Sequence, residues 1–506
     1  MNKGFVYFVG AGPGRADLIT VRGADALKKA DCIIYDKLAN PALLKFAPPD
    51  AEIIHVPKRI GKGSFTQQEI NRLLAEKASE GKTVVRLKGG DPCIFGRIAE
   101  ELAVLLEAGI DFEIIPGLTA GIAGPAYAGI ILTDRDFSSQ VTFVTGREAE
   151  GKQQSKIDWH LLARFSGTIV FYMGVGNLGL IADKLMENGM SPDTPSAVIA
   201  NATFPAQKVA KAVLSNISDT CEQQGVEPPA IIIIGKAADS SEKLNWFIQK
   251  PLFGKNIVIT RDISGNEDFA SMIIDRGGNP VEFPTIKIKP LTHKNEFVRT
   301  LTEISEYHWL IFTSANGVSI FFDAIKSLDK DARVFGSAKI ATIGERTAAR
   351  LSEFGIKADF VPNVFTSKEL GLQLIAHTNL QDKKVLLLRS KLASDELSVI
   401  LEKAGAKVDD IAVYNIVNQK GDSDRLIEEI KNNRIDWLTF ASPSSANSFV
   451  EQIPLKLINS NRLKVASVGP VTSERLRTLG VKVDVTAEDH TLEGLLDAIE
   501  KIYKGI

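Results

Sequence analysis

The sequence predicts an α/β protein of two successive units, the second of them internally duplicated, and three observations carry that expectation. Short apolar, β-branched runs at 5–9, 32–35, 83–87, 141–144, 169–172, 197–200 and 231–234 alternate with stretches of helical spacing such as 67–80 and 96–108. Strands alternating with helices imply largely parallel sheets. At 506 residues the chain exceeds one ordinary core, because single cores stop growing beyond about 250–300 residues. The second half also repeats three motifs in the same order.

The apolar tract 231–235 gives way to polar residues at 238–243, and a new strand begins near Ile257, so the main boundary falls between about 239 and 253. Beyond it, "NIVITR" ending at Arg261 matches "KVLLLR" ending at Arg389. "TSANGVSIFFDAI" from Thr313 matches "SPSSANSFVEQI" from Ser442, which puts Asn316 and Asn447 at equivalent places. "IATIGERTAARLSEFGIKADFVP" from Ile340 matches "VASVGPVTSERLRTLGVKVDVTA" from Val465. Offsets of about 125 to 131 residues imply two similar α/β lobes; solenoid repeats recur every ~20–50 residues.

The first strand runs into "VGAGPG", with Gly10, Gly12, Pro13 and Gly14. Glycines there permit a tight turn and close ligand approach, so the loop serves either a nucleotide-like ligand or a structural turn. Asp36, ending a second strand, stands where the acid of a dinucleotide site would be. The spacing departs from that motif, because Pro13 intrudes and Arg15 replaces its third glycine. A nicotinamide-dependent dehydrogenase is therefore the alternative reading of this half. Further on, "VVRLKGGDPCIFGR" (84–97) reads as a strand, a Gly89-Gly90 turn, and Asp91-Pro92 opening a helix. Asp91 there is an N-cap or an acceptor for a ligand hydroxyl. A third segment, "IIPGLTAGIAGPAYAGIILTDRD", sets Thr119-Ala120 after another strand. Three glycine-rich strand ends in one sheet make either a backbone-lined trough or three ordinary turns.

Bulk properties narrow the function. A net charge of −2 offers no footprint for nucleic acid. No apolar run reaches the roughly 18–20 residues of a membrane span, and the N-terminus enters a strand directly, unlike a signal peptide. Cys32, Cys93 and Cys221 are scattered and unpaired, and the six histidines show no metal-ligand spacing. A cytoplasmic protein with neither disulfide framework nor metal is expected.

The ordered set "GAGPG", "YD", "RLKGGDPCIFGR", "PGLTAG", "LTDRD", "VFYMG" and "NATFPAQK" resembles the signature of uroporphyrinogen-III C-methyltransferases, within the tetrapyrrole methylase family, over residues 1 to about 240. The resemblance implies a homodimer with two α/β lobes (about 1–133 and 134–240) and S-adenosylmethionine between them. It places cofactor contacts on Pro13, Gly89, Gly90, Asp91, Ile94, Thr119, Ala120, Met173 and Ala202, and proton transfer on Asp36 and Lys58. Without the resemblance Met173 reads as a core methionine, and Lys58 equally as an anion-binding group. For a substrate with eight carboxylates, Arg22, Lys58, Arg59, Arg97 and Arg135 are candidate contacts or solvated surface charges. Arg15 and Asp134 depart from the pattern, which usually has an acid after "GPG" and a histidine in "LTHR".

After a linker at 241–252, residues 253–506 resemble uroporphyrinogen-III synthase through "ITR", "FTSANGV", "ATIGERTA", "FASPSSANSF" and "SVGPVTSERL". That family folds as two lobes, here 253–288 plus 416–506 and 289–415, and uses no cofactor. The resemblance implies cyclisation of hydroxymethylbilane with loss of water and makes Tyr414 the candidate proton donor, or else a buried structural tyrosine. Arg261, Ser314, Asn316, Ser442, Ser444 and Thr472 are candidate substrate contacts; the hydroxyls, with Thr313 and Ser445, read equally as helix N-caps. A non-catalytic two-lobed binding module is the alternative for this half. Together the halves imply synthesis and double methylation of uroporphyrinogen III to precorrin-2, ahead of sirohaem or a corrinoid.

Overall fold

A computed structural model describes residues 4–56, 65–147, 156–261, 263–292, 295–460 and 462–504. Contacts divide the chain into two compact units, one of residues 1–256, 271–280 and 502–506, the other of 257–270 and 281–501.

In the first unit, β1 (Phe5–Gly10), β2 (Cys32–Tyr35), β3 (Glu52–His55), β4 (Thr83–Lys88) and β5 (Asp111–Ile115) form a parallel sheet in the order β3-β2-β4-β1-β5. Successive side chains leave opposite faces of a strand. Accordingly Val6, Phe8, Ile34 and Val84 pack into one core with Ile70 and Leu74, while Val9, Ile33, Val85 and Leu87 pack on the other side with Leu27 and Leu43. Burial on both faces explains the unbroken apolar runs.

The second sheet of this unit departs from the parallel expectation. It contains β6 (Val141–Thr145), β7 (Thr168–Tyr172), β8 (Pro195–Ala200), β9 (Lys208–Val213) and β10 (Ala230–Ile234), ordered β6-β7-β10-β8-β9. Only β6 and β7 run parallel; β10 lies antiparallel to β7 and β8, and β8 to β9. The short connection 201–207 dictates the last pairing, since a parallel return needs a crossover of a dozen or more residues. The expected linker at 241–252 packs against this unit. Trp246 Nε1 donates to the Ala126 carbonyl at 3.0 Å, and Phe247 and Leu252 are buried.

The second unit bears out the repeat. One sheet holds β11 (Asn256–Ile259), β12 (Asn279–Glu282), β18 (Trp437–Phe440), β19 (Lys464–Ser467) and β20 (Val485–Thr486), ordered β12-β11-β18-β19-β20. The other holds β13 (Ile286–Pro290), β14 (Trp309–Phe312), β15 (Lys339–Thr342), β16 (Lys384–Ser390) and β17 (Lys407–Asn418), ordered β13-β17-β16-β14-β15. Replacing β12, β11, β18 and β19 by β17, β16, β14 and β15 maps one order onto the other. A bridge from Ala341 to Phe360 takes the place of β20, and β13 is an addition beside β17.

Candidate functional site

The three glycine-rich strand ends of the first unit interlock. Gly12 and Gly90 pair reciprocally, with N–H to carbonyl distances of 3.2 and 2.8 Å. A Cβ on Gly117 would lie 2.3 Å from the Gly90 carbonyl oxygen, so the turn after β5 presses on the turn after β4. Gly12 and Gly90 both have positive φ, which side chains disfavour. The trough floor is backbone packed on backbone.

Asp91 binds these turns together and caps no helix. Its Oδ1 accepts from the Cys93 N–H at 2.8 Å and its Oδ2 from the Gly117 N–H at 3.0 Å. The following helix starts only at Ile98, with Arg97 at its N-cap. The expected N-cap role is thus replaced by a carboxylate bridge between two glycine turns.

The sheet geometry also argues against a dinucleotide pyrophosphate. That ligand needs the open N-terminus of the helix entered directly from the glycine loop. Here a short 3-10 turn, Ala16–Leu18, follows the loop. The first helix begins at Val21, and Thr20 caps it by accepting from the Gly23 N–H at 3.1 Å. Arg15 turns its guanidinium to Asp17 and its N–H to Thr203 Oγ1.

Residues from both sheets of the unit meet beside these turns. Ile94, Ala120, Ala202 and Tyr172 share one apolar cluster, Gly90 faces Thr119 and Ala120, and Met173 follows β7 with positive φ and 53% exposure. Pro13 lies in the loop between Gly12 and Gly14. A cavity of about 1020 Å³ opens beside Met173, lined by Phe95, Arg97, Phe143, Arg147 and Lys156 among others. Four of these liners, Phe95, Phe143, Arg147 and Lys156, were not singled out by sequence. The clearest missed signal is Phe95, an aromatic residue in a glycine-rich turn.

Asp36, at the end of β2, is held by Arg86 at 2.6 Å. Arg86 is fully buried and also meets Glu101, which takes a second cation, Lys88, at 3.0 Å. Burial pushes the Lys88 pKa down, with repulsion from Arg86 adding to it. An arginine inside the apolar run "VVRLKG" marked this network in the sequence, since buried charges are retained where they are paired. The result is a carboxylate of fixed orientation beside the trough.

The cationic candidates divide. Arg97 lines the cavity while paired with Glu100. Arg22 is engaged at the surface by Glu113 at 2.6 Å, the solvated alternative. Arg135 is exposed, and Asp134 closes a turn with Ser138. Lys58 and Arg59 lie outside the described residues. Among the described residues no group of three or more His, Cys, Asp or Glu could hold a metal ion, and no helix is long and apolar enough to cross a membrane.

In the second unit, Ser314 and Ser442 are both N-caps, accepting from the Gly317 and Ser445 N–H groups. Ser444 and Thr472 lie inside their helices (Pro443–Val450 and Pro470–Thr478), so the capping reading fails for them. Aligning the two caps corrects the assignment of Asn316 and Asn447. Asn316 corresponds to Ser444, and Asn447 to Ser319. Arg350 Nε donates to Ser319 Oγ at 2.7 Å and Arg475 Nε to Asn447 Oδ1 at 2.6 Å, one repeated contact in two lobes. Tyr414, on β17 and 5% exposed, has its hydroxyl 2.9 Å from Ser314 Oγ. Arg261 sits just beyond β11 and Asn316 is exposed in the first turn of its helix.

A floor of interlocked glycine turns beside a fixed carboxylate, followed by a duplicated two-lobed unit, defines a tandem α/β protein. The family described as tetrapyrrole (corrin/porphyrin) methylases matches residues 6–218, and that described as uroporphyrinogen-III synthase HemD matches 267–497. The chain is 37% identical to a porphyrin biosynthesis protein HemD of Ruminiclostridium josui, over 100% of this chain and 99% of that one. It is 41% identical to a uroporphyrinogen-III C-methyltransferase of Bacillus subtilis over 70% of this chain and 72% of that one. It is also 49% identical to an S-adenosyl-L-methionine-dependent uroporphyrinogen III methyltransferase of Methanosarcina barkeri, over 46% of this chain and 92% of that one. The chain belongs to the tetrapyrrole methylase family, joined in one polypeptide to a member of the uroporphyrinogen-III synthase family.

Proposed function

We propose that the second half cyclises hydroxymethylbilane to uroporphyrinogen III and that the first half methylates this product twice, using S-adenosylmethionine, to give precorrin-2. The observation that carries the reading is the trough itself. Its glycine turns lock together, its apolar wall is Ile94, Ala120 and Ala202, and no open helix N-terminus stands at the glycine loop to receive a pyrophosphate.

The residues present fit the cofactor. Gly90 keeps its Cβ side open, with nothing nearer than 3.9 Å, and the Thr119 hydroxyl is not spent on capping the helix it precedes. Bound S-adenosylmethionine supplies an electrophilic methyl group. The trough holds donor and porphyrinogen in line, which turns an encounter into an oriented reaction. Attack by a pyrrole carbon leaves positive charge on the substrate, and Asp36, fixed by Arg86, stabilises that charge and accepts the departing proton. Arg97, Arg147 and Lys156 serve the substrate carboxylates. Thr119, Ala120, Met173, Pro13, Gly89, Gly90, Asp91, Ile94 and Ala202 form the cofactor site. The resemblance further supports a homodimeric cytoplasmic enzyme that needs no metal.

In the second half, ring closure with inversion of the last ring requires a pocket that folds the linear tetrapyrrole. The Tyr414 phenol assists departure of the substrate hydroxyl as water, and Ser314, Ser442 and the helix ends they cap bind carboxylates.

The test is incubation of the full chain with hydroxymethylbilane and S-adenosylmethionine, followed by mass analysis and isomer separation. A product carrying two added methyl groups is expected, and without the methyl donor the type III isomer should accumulate. Type I isomer alone would overturn the cyclase reading; an unmethylated type III product in the presence of donor would overturn the methylase reading.

A further inference from the structure

Tyr172 ends a strand of the second sheet of the first unit, and its hydroxyl is spent on the start of a helix that packs on that sheet. It accepts from the Gly121 N–H at 2.9 Å and lies 2.8 Å from Thr119 Oγ1. Both partners are at the start of the helix Ala120–Tyr127, where Thr119 occupies the N-cap position with extended backbone but makes no side-chain cap. A threonine so placed ordinarily accepts from the helix's own second or third N–H. Here that N–H is taken by a phenol from the adjacent strand β7.

Counting hydrogens favours one direction for the remaining bond. Gly121 N–H is a donor, so Tyr172 Oη is its acceptor. The phenol's own proton then needs an acceptor, because an unmade hydrogen bond at a buried hydroxyl costs about 1–3 kcal/mol. Tyr172 is 9% exposed, and Thr119 Oγ1 is the oxygen within reach. With Tyr172 donating to it, Thr119 keeps its own proton for a further acceptor. Burial raises the Tyr172 pKa, so the phenol stays protonated in neutral solution.

The ring is held as firmly as the hydroxyl. Phe95 packs on it at 5.0 Å between centroids and Phe143 at 5.7 Å, nearly edge to face. Gly121 is shaped to admit it, since a Cβ there would fall 2.1 Å from Tyr172 Oη. The next residue, Met173, lines the cavity.

We infer that Tyr172 is a positioning residue for the methyl donor: it caps the helix Ala120–Tyr127 from the strand that helix packs on and turns the Thr119 hydroxyl outward as a donor to bound S-adenosylmethionine. The inference rests on the methylase reading and assigns a role to a residue outside the proposed contact set.

Calorimetric titration of the full chain with S-adenosylmethionine and with its demethylated product tests it. Tyr172→Phe should weaken binding of both about tenfold, which corresponds to about 1.4 kcal/mol. Thr119→Val should weaken it similarly, and the double variant should be no worse than either single one, because both break the same relay. Additive losses would overturn the relay, as would Tyr172→Phe binding with unchanged affinity while circular dichroism shows a folded chain. Should the unmodified chain bind neither ligand, the methylase reading fails, and this inference with it.

Discussion

The two units are built at their candidate sites from opposite materials. The first sets its chemistry on a rigid floor of glycine backbone, braced by a buried group of charges: Arg86, Lys88, Glu101 and Asp36. The second shows neutral hydroxyls at the ends of duplicated strands, with Ser314 and Ser442 in matching positions and Tyr414 in only one lobe. A transfer from a small cofactor to one carbon demands alignment, and alignment comes from a floor that does not yield. Folding a flexible chain before closure demands many weak contacts spread over two lobes. The first unit concentrates its function, and the second distributes it.

That contrast is most sharply tested at Glu101. The carboxylate is fully buried and faces both Arg86 and Lys88. Glu101→Gln keeps the size and removes the charge, leaving Lys88 without its counterion and Arg86 with Asp36 alone. Breaking a buried pair costs about 3–5 kcal/mol. Urea unfolding followed by hydrogen exchange at β1 and β4 should show that loss in the first unit, with Asp36 no longer fixed and methylation falling in parallel. A stable variant with full methylation would mean that the charges are decorative.

Asp91→Ala should act on binding and on folding together. It removes acceptors for the Cys93 and Gly117 N–H groups, and charge-assisted hydrogen bonds contribute about 1.5–3 kcal/mol each. Loosening the glycine turns should weaken S-adenosylmethionine binding by about tenfold to a hundredfold in a titration. Asp91→Asn, which retains one acceptor oxygen, should fall between. Unchanged affinity in the alanine variant would remove Asp91 from the cofactor site.

How far these features could be read in advance follows from their locality. The central strands were legible because both faces are buried and their runs are dominated by apolar residues, even where β4 carries Arg86 and Lys88. β3 and β9 were not, being edge strands with Glu52 and Lys211 at half-buried positions; an edge tolerates charge and so blurs the pattern. The trough was legible as motifs, since a glycine turn is a local event. The partner of Asp91 was not, because Gly117 lies 26 positions away and no spacing rule joins them. Tyr172 reads as one more apolar strand residue until the fold brings it to Thr119. The repeat was legible but its register was not: identical letters align Asn316 with Asn447, whereas the caps align Ser314 with Ser442, a register three positions away.

The smallest effects decide whether the second unit is as symmetric in function as in form. Ser314→Ala and Ser442→Ala each remove an N-cap, at about 1 kcal/mol apiece, so their effects on unfolding should be nearly equal. Their effects on catalysis should differ. Ser314 Oγ touches the Tyr414 hydroxyl at 2.9 Å, while Ser442 Oγ meets only Ser445 among the side chains it contacts. Tyr414→Phe sets the scale: loss of a proton donor lowers kcat for ring closure by about a hundredfold where that donor acts in the rate-limiting step. Ser314→Ala should slow closure several-fold and raise the share of type I product, since the phenol loses the contact that orients it, whereas Ser442→Ala should alter substrate KM alone. Equal slowing by both serine variants would show that the two lobes share the work, and would return Tyr414 to the packing of its core.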